Sequence, residues 1–205
     1  SDWRRTNGRD KPWHVKYFGV ANEAWGCGGS MTPEYYANVY RRYATFMTDY
    51  TGGDMMRVAS GANADDYHWT EVLMRDIPHD MLNAIALHYY SVDWDSKSSA
   101  TKFTKRQYFG TMKAALRMEE LITKHSAIMD KYDPKKEIAL FVDEWGGWYD
   151  VEPGTNPGFL YQQNTMRDAM LAGVTLNIFN NHCDRVRMAN LAQMVNVLQA
   201  VILTN

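Results

Sequence analysis

A chain of 205 residues, 45% hydrophobic and 22% charged, has the size and composition of one globular domain rather than of a disordered or repetitive protein. Lysine and arginine total 22 against 24 acidic residues, a net charge of −2, so no basic face is available to drive nucleic-acid binding. No apolar run reaches the roughly 18 residues that a membrane helix needs. Ser1-Asp2-Trp3-Arg4-Arg5 lacks the apolar core of a signal peptide, which leaves the compartment, cytoplasmic or secreted, open. Cys27 and Cys183 form no Cys-x-x-Cys pair and read as free thiols.

A polar, turn-rich opening precedes a first predicted strand, Val15 to Val20, which ends at Ala21-Asn22-Glu23 beside Trp25 and a run of glycines. Thr32 as N-cap and Pro33 at the first helical position start a helix, and Tyr36, Val39, Tyr40, Tyr43, Met47 and Tyr50 carry its spacing to about Tyr50. Met55 to Ser60 is a second strand, Trp69 to Asp76 a short helix closed by Pro78, and Ala84 to Leu87 a third strand leading into His88-Tyr89-Tyr90. Residues 92–101 read as a polar loop. Its Asp93 and Asp95 resemble the start of a calcium loop but lack the following glycine and distal glutamate, so no metal is expected.

A long helix spans about Lys105 to Lys131, with Met118, Leu121, Ile122, His125 and Met129 on one face. After the turn Asp133-Pro134-Lys135-Lys136, the run Ile138 to Val142 is apolar throughout, as suits a parallel strand covered on both faces. It delivers Asp143-Glu144 into the aromatic and glycine stretch Trp145-Gly146-Gly147-Trp148. A helix from Leu160 to Ala172, a fifth strand from Val174 to Phe179 and a final helix carrying Leu191, Met194, Leu198 and Ile202 complete the expectation, while His182, Asp184 and Arg185 suit a local structural network. Strand and helix alternate five times, the pattern of an α/β parallel sheet with crossover helices. A closed (β/α)8 barrel usually needs about 250 residues and eight strands. Residues 1–205 are therefore expected to be one partial barrel domain, a fragment or one partner of an assembly joined through open sheet edges.

Glu23 and Glu144 both stand at C-terminal ends of predicted parallel strands, where α/β folds place their chemistry. Two glutamates aimed into one mouth can divide glycoside hydrolysis, one attacking the anomeric carbon and one carrying the proton. The 7 Trp, 13 Tyr and 7 Phe supply flat faces on which sugar rings stack, although most aromatics fill cores.

The stretches Lys16 to Gly29, Leu87-His88-Tyr89-Tyr90, Val142-Asp143-Glu144-Trp145, His182 with Asp184-Arg185-Val186, and Leu191 to Asn196 together resemble the α-L-arabinofuranosidases of glycoside hydrolase family 51. The resemblance implies the last five β/α units of a TIM barrel, with Glu23 after the family's fourth strand as general acid/base and Glu144 after its seventh as nucleophile. It further implies that Asn22 bonds the sugar 2-hydroxyl, Tyr90 orients the nucleophile, Gln193 lines the arabinose subsite and Trp148 is a leaving-group platform, with Trp25 and His88 as wall residues. No cofactor is implied. The expected partner is an arabinose-containing oligo- or polysaccharide, cleaved in exo fashion with retention, and a homo-oligomer is consistent with the family.

Two departures stand out: Ala21 occupies the position where the family usually has glycine before Asn-Glu, and the first three strands and accessory β-sandwich have no counterpart here. An endo-acting β-glycanase of the same clan, or a non-catalytic sugar-binding or assembly piece, are the alternatives.

Overall fold

The computed structural model describes every residue except Thr51, Asp54, Ser96 and Asn205. A short helix, α1 (Asp2–Thr6), precedes five strands, β1 (Tyr17–Val20), β2 (Met56–Asn63), β3 (Ala84–Tyr90), β4 (Ala139–Gly146) and β5 (Val186–Leu191). All pair in parallel, in chain order. Each connection is a helix: α2 (Pro33–Phe46), α3 (Tyr67–Asp76), α4 (Lys105–Tyr132) and α5 (Met166–Asn181). Side-chain caps set the starts. Thr32 accepts from the Tyr35 amide, with Pro33 behind it, and Thr104 with Gln107 and Thr165 with Asp168 form reciprocal capping boxes.

The strands separate two faces at period two. Ile85, Leu87, Leu140 and Val142 pack against the helices, whereas Ala84, Ala86, Val58, Ala139 and Phe141 cluster on the other side. That second face is concave. The rings of Tyr17 on β1 and Phe141 on β4 lie 5.6 Å apart although two strands intervene, whereas a flat sheet would hold those backbones about 14 Å apart. Small alanines on this face leave room for the curl. Register shifts fall between Ala59 and Ala62, between Ala86 and His88, and between Val142 and Trp145, toward the C-terminal ends of the strands, and a further one lies between Leu140 and Phe141 near the start of β4. At the first of them a Cβ on Gly61 would stand 1.6 Å from the Ala86 carbonyl oxygen, so β2 and β3 approach there only over a glycine.

Several expected boundaries change. Helix α2 stops at Phe46 rather than Tyr50, because Met47 turns extended and the Asp49 carboxylate accepts from the amides of Gly53 and Met55 to hold a turn instead. The expected fifth strand, Val174 to Phe179, is helical. Its apolar run fits either period, but the capping box at Thr165 sets a helix whose buried Leu171, Thr175, Ile178 and Phe179 recur at i, i+4, i+7 and i+8. The expected start of that helix at Leu160 fails too, since Leu160 has φ +52° and Tyr161 bridges to Leu198. The true fifth strand is Val186–Leu191, and the expected final helix is an irregular turn in which the Val201 and Ile202 amides bond the Gln193 and Met194 carbonyls. Met194 and Val201 are exposed, so that stripe buries no helix face.

Strand β5 is fixed to the sheet by one buried cation. The Arg185 guanidinium, 1% exposed, donates to Asp133 Oδ2 at 2.8 Å, to the Ile138 carbonyl at 2.7 Å and to Asp130. Asp133 also accepts from the Glu137 and Ile138 amides, and although burial alone would raise its carboxyl, these bonds and Arg185 hold it below the usual range. With Lys136 on Asp184 and His182 on Glu119, this is a structural network. Arg185→Ala leaves Asp133 buried and uncompensated and is expected to lose about 3–5 kcal/mol in urea unfolding; a loss below about 1 kcal/mol would contradict this role.

Candidate functional site

Glu23 is presented by a turn built almost entirely from backbone. The Glu23 carbonyl accepts from the amides of Gly26 at 2.8 Å and Gly28 at 3.0 Å. A Cβ on Gly28 would lie 1.8 Å from the Asn22 carbonyl oxygen, so the turn closes only without a side chain there. Ala21 and Glu23 both have positive φ, +82° and +45°. The glycine expected at position 21 would meet that geometry without strain, and alanine does not. Behind the turn, the Tyr36 hydroxyl donates to the Val20 carbonyl at 2.5 Å and accepts from the Ser60 amide at 2.7 Å, while Ser60 Oγ accepts from the Ala24 amide at 3.0 Å. Helix α2 and strand β2 thereby hold the acid without touching its carboxylate.

His88 and Tyr90 share the parity of Ala84 and Ala86 on β3 and so reach the concave side. The bulge in β4 brings both Asp143 and Glu144 to His88. His88 Nδ1 lies 2.9 Å from Glu23 Oε1 and 3.2 Å from Glu144 Oε2, and Nε2 lies 3.1 Å from Asp143 Oδ1, out of line for a hydrogen bond. One oxygen from each glutamate and a His88 nitrogen all fall within 4.8 Å of one another. Burial alone would disfavour an imidazolium, but Asp143, Glu23 and Glu144 outweigh it and push the ring up to about 9. The Tyr90 hydroxyl donates to Glu144 Oε1, and burial followed by that carboxylate raises the phenol far above its ordinary value, so it stays a donor. Cys27 Sγ contacts Glu23 Oε2 at 3.3 Å, and that bond to the acid pushes the thiol up.

Two hollows flank this cluster. One, about 530 Å³, is lined by Glu23, Trp25, His88, Tyr90, Trp94 and Trp148. The other, about 560 Å³, is lined by Asp143, Glu144, Asn190 and Gln193 among others. Trp148 packs edge-on against Tyr90 at 4.9 Å and Trp94 at 5.4 Å, with Lys97 Nζ 5.1 Å above its ring.

Of the residues singled out from sequence, the structure thus gathers Glu23, Glu144, His88, Tyr90, Trp25 and Trp148. Asn22 is exposed on the turn and lines neither hollow, and Gln193 shares a hollow with Glu144 but not with Glu23. Asp143, Cys27 and Trp94 carried no expected role. Asp143 was visible as a second acid at the strand end, and Trp94 as the lone aromatic of a polar loop; only the fold joins them to the site.

Two outcomes follow from this geometry. Because the folded pKa of His88 lies above its unfolded 6.5, its contribution is complete below pH 6.5 and is lost as pH rises through about 9. The urea-unfolding difference between the wild type and His88→Asn, on the order of 3 kcal/mol at pH 6, should therefore shrink by pH 9.5. Ala21→Gly should stabilise by about 1 kcal/mol by relieving the left-handed backbone, and a loss of stability in the same assay would contradict the strain.

Residues 143–205 match the α-L-arabinofuranosidase C-terminal domain family. Over 98% of its length the chain is 56% identical to an intracellular exo-α-L-arabinofuranosidase of Bacteroides ovatus, covering 39% of that protein. The crystal structure of a family 51 arabinofuranosidase from Xanthomonas axonopodis pv. citri superposes on the whole chain with a TM-score of 0.93 at 55% identity, over 42% of its own length. A family 51 α-L-arabinofuranosidase from Bifidobacterium longum does so with a TM-score of 0.80 at 25% identity, over 44%. The chain spans about two fifths of the length of these relatives. With its parallel α/β sheet and the motifs that carried the resemblance, the chain is similar over nearly its whole length to the C-terminal part of α-L-arabinofuranosidases of glycoside hydrolase family 51.

Proposed function

We propose that residues 1–205 form the last five β/α units of a (β/α)8 barrel and supply both carboxylates of a retaining exo-α-L-arabinofuranosidase. One observation carries this reading: an oxygen of Glu23 and one of Glu144 approach within 4.8 Å around a shared histidine. Retaining glycosidases hold their carboxyls about 5–5.5 Å apart, whereas inverting enzymes leave about 6.5–9.5 Å for a water between them.

In the first step Glu144 attacks the anomeric carbon, the glycosidic bond breaks, and Glu23 gives its proton to the departing oxygen. In the second, Glu23 takes a proton from water, the water oxygen bonds the anomeric carbon, and Glu144 leaves. The Tyr90 hydroxyl on Oε1 fixes the direction of the nucleophile. The His88 imidazolium touches both glutamates and holds them at one spacing. Trp148 and Trp25, on the walls of the aromatic hollow, would stack the leaving group, and Asn22 and Gln193 would bond the arabinose hydroxyls. The chemistry needs no cofactor of its own. Arabinose-bearing oligo- or polysaccharides are the proposed substrates, and further strands would pair with the sheet edges at β5 and at β1, where Tyr17 and Phe18 lie partly exposed.

The test is hydrolysis of an aryl α-L-arabinofuranoside by the whole protein. Glu144→Ala should lose about four orders of magnitude in kcat, and the wild-type first product should retain its configuration. Undiminished turnover would remove Glu144 as nucleophile, and an inverted product would remove the mechanism.

A further inference from the structure

We propose that Cys27 is a positioning residue for the proton carrier: its thiol holds Glu23 Oε2 and keeps that contact whether or not the oxygen carries the proton. This role rests on Glu23 being the acid/base. The two oxygens of Glu23 have different neighbours. Oε1 lies 2.9 Å from His88 Nδ1, and Oε2 accepts from Cys27 Sγ at 3.3 Å. With the ring pushed up to about 9, the imidazolium aims an N–H at Oε1 at neutral pH, so the proton exchanged with substrate belongs on Oε2. A carboxyl held through one oxygen alone still turns about its last bond, where the torsional wells are broad; a second contact on the other oxygen fixes its plane.

A thiol suits this place chemically. Lysine or arginine there would hold Glu23 as the carboxylate and oppose delivery of its proton. The thiol is neutral, donates to the carboxylate through S–H and accepts from the carboxylic acid through sulfur, so the contact serves both half-reactions. Its bond to Glu23 pushes the thiol up, which keeps it as S–H at neutral pH rather than as a thiolate that would repel the acid. No bond of Cys27 is made or broken: the proton passes from Glu23 Oε2 to the departing oxygen, and a water proton later replaces it. The side chain is also dispensable to the turn. Cys27 is exposed, and the turn closes through the Gly26 and Gly28 amides on the Glu23 carbonyl and the Ser30 amide on the Gly26 carbonyl.

The experiment compares kcat/KM of the whole protein on a dinitrophenyl and on an alkyl α-L-arabinofuranoside, the first of which departs without a proton while the second needs one. Cys27→Ala should lose about tenfold more on the alkyl substrate than on the dinitrophenyl one, the size of one hydrogen bond to a charged group. Cys27→Ser, whose hydroxyl also donates and accepts, should recover most of that difference. Cys183→Ser, a change at the other exposed thiol, should match the wild type on both. Glu23→Ala in the same assay must show the same leaving-group bias, in larger measure. If it does while Cys27→Ala loses equally on both substrates or on neither, or if Cys27→Ser recovers nothing, the positioning role is overturned and the acid/base assignment stands. If Glu23→Ala lacks the bias, the assignment and the role of Cys27 fall together.

Discussion

One buried ring holds the site together. His88 is hydrogen-bonded or ion-paired to Glu23, Glu144 and Asp143, groups delivered by strands β1 and β4 on either side of its own. Three acids converging on a concave surface would repel one another and pay for desolvation; a cation among them offsets both effects. The curl of the sheet is what makes such a meeting geometrically available. Strands that are not neighbours in the sheet direct side chains to a common point because alanines line the inner face of β3 and a glycine lets β2 approach it.

The remaining structure is devoted to keeping the ends of those strands in place. The Tyr36 and Ser60 hydroxyls secure the Glu23 turn from behind, and the buried Arg185 secures β5 against β4 through the C-terminal end of α4. On the loop side, Arg167 is sandwiched between Phe103 at 3.8 Å and Tyr149 at 3.6 Å and bonds Ser98 and the Ser99 and Ala100 carbonyls, anchoring the segment that follows Trp94 and Lys97. The proposed aromatic wall thus rests on a packed cation rather than on a free loop.

Much of this was legible in the residues. The uninterrupted apolar run before Glu144 gave a buried parallel strand, and the Thr32-Pro33 start gave α2 in place. The run Val174 to Phe179 misled because a buried helix face and a buried strand share the same side chains over six residues; the deciding signal, Thr165 with Asp168, lay nine residues upstream. Once that run became helix, β5 had to come from Val186–Leu191, a segment with only one fully buried residue, Val186, and so a faint pattern. In the site, strand-end acids could be picked out singly, but His88 as their common partner is a through-space fact that no spacing encodes. Ala21 was noticed only as an unusual residue; its φ of +82° gives that oddity its physical content.

The register shifts near the strand ends set how this surface can change over evolutionary time. Each bulge contributes one residue of chain that is not matched across the ladder, and in β4 the extra residue lets adjacent acids reach the same ring. Side chains of β4 otherwise alternate between the two faces, so losing the extra residue between Phe141 and Trp145 would restore plain alternation and leave only one of the two adjacent acids facing the ring. Point replacements around the cluster alter one contact at a time. Length changes there rewrite the whole mouth, which makes the spacing of this strand end a stricter inheritance than its composition.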